Sequence, residues 1–112
     1  MIGISTHVLD TSTGQPVRGV RVVLERPSLN GMWFPEGEAR TDSNGRISQF
    51  LAPGDALEEG IYRLTFYVGE YFEGQQHFYP EISVQFLVHD PSIHYHVPLL
   101  LSPYGYTTYR GS

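Results

Sequence analysis

The sequence contains no cysteine, no lysine and no long apolar segment. Without cysteine the chain can form neither disulfides nor thiolate metal sites, so nothing in it calls for a secreted setting. No stretch approaches the roughly 20 apolar residues that a membrane span needs, and the N-terminal residues do not resemble a signal peptide. We therefore expect a cytoplasmic protein without a membrane partner.

Positive charge is also scarce, because seven arginines stand against twelve acidic residues and give a net charge of −5. Proteins that bind nucleic acids usually carry a basic surface, so this composition argues against a nucleic-acid partner. A length of 112 residues is typical of one domain. We expect residues 1–112 to form that domain.

Glycine, proline and aromatic residues are abundant, with 12 Gly, 8 Pro, 8 Tyr, 6 Phe and 1 Trp. This composition is typical of short strands joined by tight turns. Alternation of apolar and polar residues predicts eight strands, at residues 2–9, 17–26, 32–41, 46–51, 62–68, 82–88, 93–101 and 104–109. The pattern favours an all-β, eight-stranded antiparallel sandwich of two sheets. Residues 70–77 lack the alternation and could form a short helix or a turn.

Several polar side chains fall on the faces of these strands that point away from the core. Alternation places His7 on the outward face of the first strand, His94 and His96 on that of the seventh, and Tyr109 on that of the eighth. The same faces carry the apolar side chains of Leu9, Pro98 and Leu100. A face that mixes aliphatic side chains with imidazoles is typical of an interface or a site, so we expect self-association across it.

Arg46 follows the predicted tight turn at residues 42–45, which fixes its position better than a long loop would. Imidazoles that titrate near neutral pH, together with a guanidinium, are suited to hydrolysis. Taken singly, each of these residues could equally be an ordinary surface residue. We interpret the remaining histidines, His77 and His89, as structural.

A metal site is an alternative interpretation of the histidines. The His94-x-His96 spacing on one strand is a known spacing of metal ligands, and His7 could complete a three-histidine zinc site with an open position. Isolated pairs of this kind are common, so the spacing alone is a weak signal.

Three segments together resemble a known family. They are Thr6-His7-Val8-Leu9-Asp10, the turn Asp42-Ser43-Asn44-Gly45-Arg46, and the C-terminal stretch HYHVPLLLSPYGYTTYRGS. They are similar to the 5-hydroxyisourate hydrolases, the enzymatic branch of the transthyretin-like family, over essentially the whole chain. The terminal Tyr-Arg-Gly-Ser is the most specific part, because it distinguishes the hydrolases from the hormone carriers. Asn44 departs from the pattern, since an Asp often stands there.

The resemblance implies a sandwich with a short helix after the fifth strand and a homotetramer, a dimer of dimers with active sites where two subunits meet. It implies hydrolysis of 5-hydroxyisourate to 2-oxo-4-hydroxy-4-carboxy-5-ureidoimidazoline in urate breakdown, without a metal or another cofactor. The catalytic residues it implies are His7, Arg46, His96 and Ser112, and the substrate-binding residues are Tyr109, Arg110 and Gly111. It leaves open which histidine is the general base and what His94 does.

A carrier of an aromatic ligand, bound in the same channel between subunits, is the second functional class. A carrier channel needs mainly aliphatic and small residues with few polar contacts. Tyr109 and the histidines would crowd and polarise such a channel. The sequence therefore favours the hydrolase over the carrier.

Overall fold

The computed structural model describes residues 2–112 and consists of two packed β-sheets. The strands are β1 (Ile4–Asp10), β2 (Gln15–Pro16), β3 (Arg21–Pro27), β4 (Trp33–Arg40), β5 (Arg46–Ile47), β6 (Gly60–Phe66), β7 (Ile82–Val88), β8 (Tyr95–Leu101) and β9 (Tyr106–Thr108). One sheet has the order β2-β1-β8-β9, with β5 also paired to β1, and the other has the order β4-β3-β6-β7. The predicted all-β sandwich of two sheets is confirmed.

Each of the eight predicted strands has a counterpart, and β7 has the predicted bounds. The ninth strand is the short β2, which pairs with the end of β1. The predicted fourth strand is shortened to Arg46–Ile47. Val17 and Val20 were predicted within a strand and lie outside one, although both side chains are buried. Each makes one backbone–backbone hydrogen bond, from the Val17 N–H to the Val8 carbonyl and from the Thr41 N–H to the Val20 carbonyl, without the continuous ladder of a strand.

The predicted short helix after the fifth strand is wrong for the described residues 2–112, because residues 68–74 form a series of turns. One bond of helical span joins the Phe72 N–H to the Val68 carbonyl, and neighbouring bonds in this segment close four-residue turns instead. Gly69 and Gly74 lie within the segment, and glycine disfavours a helix because it has more conformational freedom to lose.

The prediction of purely antiparallel pairing is also wrong at one place, since β1 and β8 run parallel. A parallel pair needs a long connection between its strands. Residues 11–94 provide it, because they build the whole opposite sheet before the chain returns beside β1. The Thr6 hydroxyl strengthens this pair by donating to the Val97 carbonyl over 2.6 Å.

The core lies between the two sheets and follows the predicted alternation. In β1 and β8 the inward residues Ile4, Val8, Val97 and Leu99 are buried. The same alternation wrongly predicted burial of Ile2 and Ile93, whose side chains are 52% and 37% exposed. Both residues precede the start of their strands, where the two-residue period no longer determines orientation. Within residues 2–112 no helix has the length and hydropathy of a membrane span.

The turn before β5 is held against β1. Asp42 accepts hydrogen bonds at Oδ1 from the Asn44 and Arg46 N–H groups, at 2.8 and 2.9 Å. The Val8 N–H donates to the Gly45 carbonyl over 2.7 Å. Gly45 has a φ of +74°, and an added Cβ would collide with the Val8 carbonyl oxygen. This close approach makes Arg46 of β5 the direct pairing partner of His7 on the neighbouring strand β1.

We predict that Gly45→Ala destabilises the protein more than Gly14→Ala. Both glycines have a φ of +74°, but a Cβ on Gly14 would meet no atom within 4 Å. Gly14→Ala should therefore lower the free energy of unfolding by about 1–2 kcal/mol, the cost of the left-handed conformation. Gly45→Ala should cost about 1–3 kcal/mol more because of the clash. Urea denaturation measures both, and equal losses would contradict the close packing of the turn against β1.

Candidate active site

Two grooves open on the surface near β8. The smaller one, called the polar groove, has a volume of about 250 Å³ and is lined by residues that include Ser5, Arg46, Ser48, His94, His96 and Ser112. The larger one, called the edge groove, has a volume of about 600 Å³ and lies beside β7, lined by residues that include Val84, Phe86, Leu87, Tyr95, Tyr109 and Arg110. His96 borders both grooves.

The parallel pairing of β1 with β8 builds the floor of the polar groove. Its register sets Ser5 directly opposite His96, on the face that points away from the core. The Ser5 hydroxyl oxygen lies 2.7 Å from His96 Nδ1 and also 2.7 Å from His94 Nε2. One buried hydroxyl therefore holds both imidazoles in place.

His7 lies on β1 itself, and Arg46 lies on β5, the strand that pairs with β1 on the side away from β8. The antiparallel pairing of β1 with β5 places His7 opposite Arg46, so that both face the same side of the sheet as His96. Arg46 is exposed and lines the polar groove, whereas His7 is half-buried and lies beside it.

The C-terminal tail extends the register of β9 along β8. Thr108 pairs with Leu99. Three residues later in the tail, Gly111 pairs with His96, which lies three residues before Leu99 in β8. The Gly111 N–H donates to the His96 carbonyl over 2.8 Å. A Cβ on Gly111 would lie 2.5 Å from His96 Cδ2 and 3.2 Å from Pro98 Cγ, so the tail lies directly against the imidazole. This contact brings Ser112 to the polar groove.

Tyr109 and Arg110 lie on the other groove. Both line the edge groove rather than the polar groove, and the Arg110 guanidinium lies 5.4 Å from the centre of the Tyr95 ring. Of the seven residues predicted for the site, Arg46, His96 and Ser112 line the polar groove together. His7 and Gly111 flank them through strand pairing.

Burial and charge favour neutral imidazoles in the polar groove. Burial lowers the pKa of His96, and the positive charges of Arg46, His7 and His94 lower it further. Burial also lowers the pKa of His94. The backbone N–H of Arg46 donates to the Asp42 carboxylate, and this hydrogen bond is the main cause of the lowered pKa of Asp42. These effects favour the neutral form of His96 beside the cation Arg46.

The profile of the HIUase/Transthyretin family matches residues 4–111. The chain belongs to this family. Its relatives include the 5-hydroxyisourate hydrolase of Salmonella dublin, which is 50% identical over 111 residues, spanning 97% of this chain and 80% of the relative. The 5-hydroxyisourate hydrolase of Deinococcus radiodurans is 44% identical over 115 residues, spanning 98% of this chain and 96% of the relative.

The fold matches solved structures from the same HIUase/Transthyretin family. The Klebsiella pneumoniae 5-hydroxyisourate hydrolase superposes with a TM-score of 0.85 at 35% identity, covering 100% of both chains. The transthyretin from Sparus aurata superposes with a TM-score of 0.90 at 27% identity, covering 99% of this chain and 97% of the other. The predicted resemblance to the family is confirmed.

The alternative of a three-histidine zinc site finds no matching geometry in this member of the family. Among residues 2–112, no three side chains of His, Cys, Asp or Glu are grouped as metal ligands. His94 Nε2 and His96 Nδ1 both point at the Ser5 hydroxyl instead.

Ser5, like Ser48, lines the polar groove and was not among the residues predicted for the site. It is 8% exposed and shares the outward face of β1 with His7. The same two-residue alternation that singled out His7 also includes Ser5, but a serine in a strand carries no chemical signal of its own. Ser5 matters because the parallel β1–β8 pair places it opposite His96, to which its hydroxyl is hydrogen-bonded.

We predict that Arg46→Gln raises the pKa of His96. Among the charges that lower this pKa, Arg46 is the first. Its removal should allow His96 to gain a proton at a higher pH, as measured by an NMR titration of the imidazole ring. Arg18→Gln, a change at an exposed arginine, is the matched control and should leave the titration in place. An unchanged pKa in Arg46→Gln would show that the guanidinium does not act on His96.

Proposed function

We propose that this protein hydrolyses 5-hydroxyisourate, with residues 1–112 forming one hydrolase domain. The observation that carries the proposal is the convergence of Arg46, His96 and Ser112 on one small polar groove, with His7 beside it. The relatives named 5-hydroxyisourate hydrolase, at 44–50% identity over nearly the whole chain, support the same substrate. The product would be 2-oxo-4-hydroxy-4-carboxy-5-ureidoimidazoline, in the breakdown of urate.

The reaction opens a six-membered ring at an acyl C–N bond. A water molecule loses a proton to a base, its oxygen attacks the acyl carbon, and an oxyanion forms. The protonated base then gives its proton to the departing ring nitrogen as the C–N bond breaks. These steps need a base, a partner for the oxyanion and an oriented water, and they need no metal ion.

The polar groove offers a residue for each of these tasks. Arg46 supplies positive charge and a planar set of N–H donors for the oxyanion. His7 and His96 supply the imidazoles, and the Ser112 hydroxyl helps to orient the water. Pockets for drug-sized ligands occupy about 300–1,000 Å³. A groove of about 250 Å³ suits a smaller, planar ring that carries carbonyl groups.

The tail contributes by being held against His96. We assign Gly111 the role of allowing this close approach, because any side chain there would displace the imidazole. Arg110 anchors the tail through its contact with the Tyr95 ring. Tyr109 is 54% exposed in the edge groove, so its proposed contact with substrate would occur across a subunit boundary.

A homotetramer, arranged as a dimer of dimers, is part of the proposal. β7 and β9 are the outer strands of their sheets, and both lie beside the edge groove. Leu87, Ile93 and Tyr109 are exposed apolar or aromatic residues there. Strands with open edges and apolar side chains readily pair with a second copy. The cytoplasmic setting remains a prediction.

We predict that His7→Gln, His96→Gln and Arg46→Gln each reduce kcat/KM by about 10²–10⁴-fold, the usual contribution of an acid–base or oxyanion group. Ultraviolet absorbance of freshly generated 5-hydroxyisourate measures the decay above its spontaneous rate. The fold should survive, because these side chains lie on the outward face of the first sheet. Circular dichroism checks that the fold is retained.

His77→Gln is the matched control, since His77 lies outside both grooves and hydrogen-bonds to the Gln75 carbonyl. Its activity should equal that of the wild type. Near-normal activity in all three site variants would remove the catalytic assignment. A wild-type protein that binds the intact ring tightly without accelerating its decay would be a carrier instead.

A further inference from the structure

The hydroxyl of Ser5 is shared between two imidazoles. It lies 2.7 Å from a ring nitrogen of each, His94 Nε2 on one side and His96 Nδ1 on the other. A serine hydroxyl has one proton to donate and two lone pairs that accept. The two rings are the hydroxyl's only hydrogen-bond partners among residues 2–112. With both rings neutral, the Ser5 proton is therefore used only when the hydroxyl donates to one histidine and accepts from the other.

This count leaves two arrangements of protons. In the first, Ser5 donates to His94 Nε2 and accepts from His96 Nδ1–H, so both rings carry their proton on Nδ1. In the second, Ser5 accepts from His94 Nε2–H and donates to His96 Nδ1, so both rings carry it on Nε2. The tautomers of the two histidines are thus coupled, and a mixed pair would leave Ser5 with two donors or two acceptors.

The other nitrogen of His94 distinguishes the two arrangements. His94 Nδ1 is buried and has no hydrogen-bond partner within residues 2–112. In the first arrangement this nitrogen carries a proton, which makes it a buried donor without an acceptor. In the second it is an acceptor without a donor. Among buried backbone groups, N–H donors without a partner are rarer than acceptors with unused capacity. We extend that preference to the imidazole, where it favours the second arrangement.

We propose that Ser5 and His94 are positioning residues that hold His96 as its Nε2–H tautomer, so that His96 offers the polar groove a proton donor and not a base. This inference rests on the proposed function, and it divides the work between the two histidines near the groove. The Nε2–H of a neutral His96 and the guanidinium of Arg46 donate to the oxyanion. His7 is then the base.

The proton balance of this division closes. His7 takes one proton from water as the water oxygen bonds to the acyl carbon, and it returns that proton to the ring nitrogen as the C–N bond breaks. His96 keeps its Nε2 proton throughout and only donates a hydrogen bond, as a neutral imidazole can. The groups that face His96 favour this neutral form, because Arg46 adds positive charge beside it and, among residues 2–112, no acidic side chain lines the polar groove.

The direct test is NMR of the imidazole nitrogens in protein labelled with ¹⁵N on histidine. Coupling of each ring nitrogen to the ring protons reports which nitrogen is protonated, and single His→Gln variants assign the five histidines. In the wild type at pH 7.5 to 8, chosen on the order of one unit above the ordinary histidine pKa, we expect Nε2–H on both His94 and His96. A proton on His96 Nδ1, or different tautomers on the two rings, would overturn the proposal.

Ser5→Ala tests the coupling. Without the hydroxyl, His96 should exchange between tautomers, and its two ring nitrogens should move toward averaged shifts. The value of kcat should fall in proportion to the lost Nε2–H population, by about 2- to 10-fold, well below the roughly 10²- to 10³-fold cost of losing an entire oxyanion donor. KM should change little. An unchanged tautomer together with an unchanged kcat would overturn the proposal.

Three further variants separate this role from a packing role. Ser5→Thr keeps the hydroxyl and should keep both the tautomer and most of kcat. His94→Gln keeps a donor toward Ser5, whereas His94→Phe removes it and should loosen the tautomer of His96 as Ser5→Ala does. The matched control is Ser83→Ala, which removes another strand hydroxyl, bonded to Thr65 in the opposite sheet. It should change neither the His96 signals nor kcat.

Failure of the proposal can be told from failure of the proposed function. The tautomer of His96 is measured without substrate, so it can be wrong in an active hydrolase. Conversely, a wild-type protein that does not accelerate the decay of 5-hydroxyisourate would refute the function and leave the tautomer measurement intact.

Discussion

The parallel pairing of β1 with β8 is the constraint on which the site depends. It joins strands from the two ends of the chain, and its register sets Ser5 opposite His96. Because β1 also pairs with β5, the same strand carries His7 across from Arg46. A shift of one residue in this register would turn His96 into the core and Val97 outward. The buried faces of Ile4, Val8, Val97 and Leu99 oppose that shift, so the hydrophobic core fixes the geometry of the polar groove.

The C-terminal tail can lie against His96 because Gly111 has no side chain. Gly111 pairs with the backbone of His96 and lies against its ring, at a distance that no other residue type could adopt. The imidazole is thus held on one side by the Ser5 hydroxyl and covered on the other by backbone. Burial and the nearby cation Arg46 both disfavour its protonated form. A neutral, immobile imidazole next to a permanent positive charge is a suitable environment for a developing oxyanion.

Much of this structure is contained in local sequence patterns, because strand alternation depends on neighbouring residues. It predicted the bounds of β7 and the shared outward face of His7 and His96. It failed at Ile93, which precedes its strand. At residues 70–77 it left a helix or a turn open, and the expectation of a helix came from the family resemblance; turns occupy residues 68–74.

What local patterns could not supply is the pairing of distant strands. The parallel β1–β8 pair forms across 84 intervening residues, numbers 11–94, and no periodicity within either strand encodes it. The role of Ser5 depends entirely on that pair. The separation of Tyr109 and Arg110 from the polar groove likewise follows from how the tail lies along β8.

The central claim is that the substrate ring binds in the polar groove and not in the larger edge groove. The most direct measurement is an NMR titration of the wild-type protein with urate, a stable ring that bears carbonyls like those of the substrate. The claim predicts that the largest shift changes fall on Ser5, Arg46, His96 and Ser112. Changes concentrated on Val84, Phe86 and Leu87, with the imidazole signals of His96 unmoved, would contradict it.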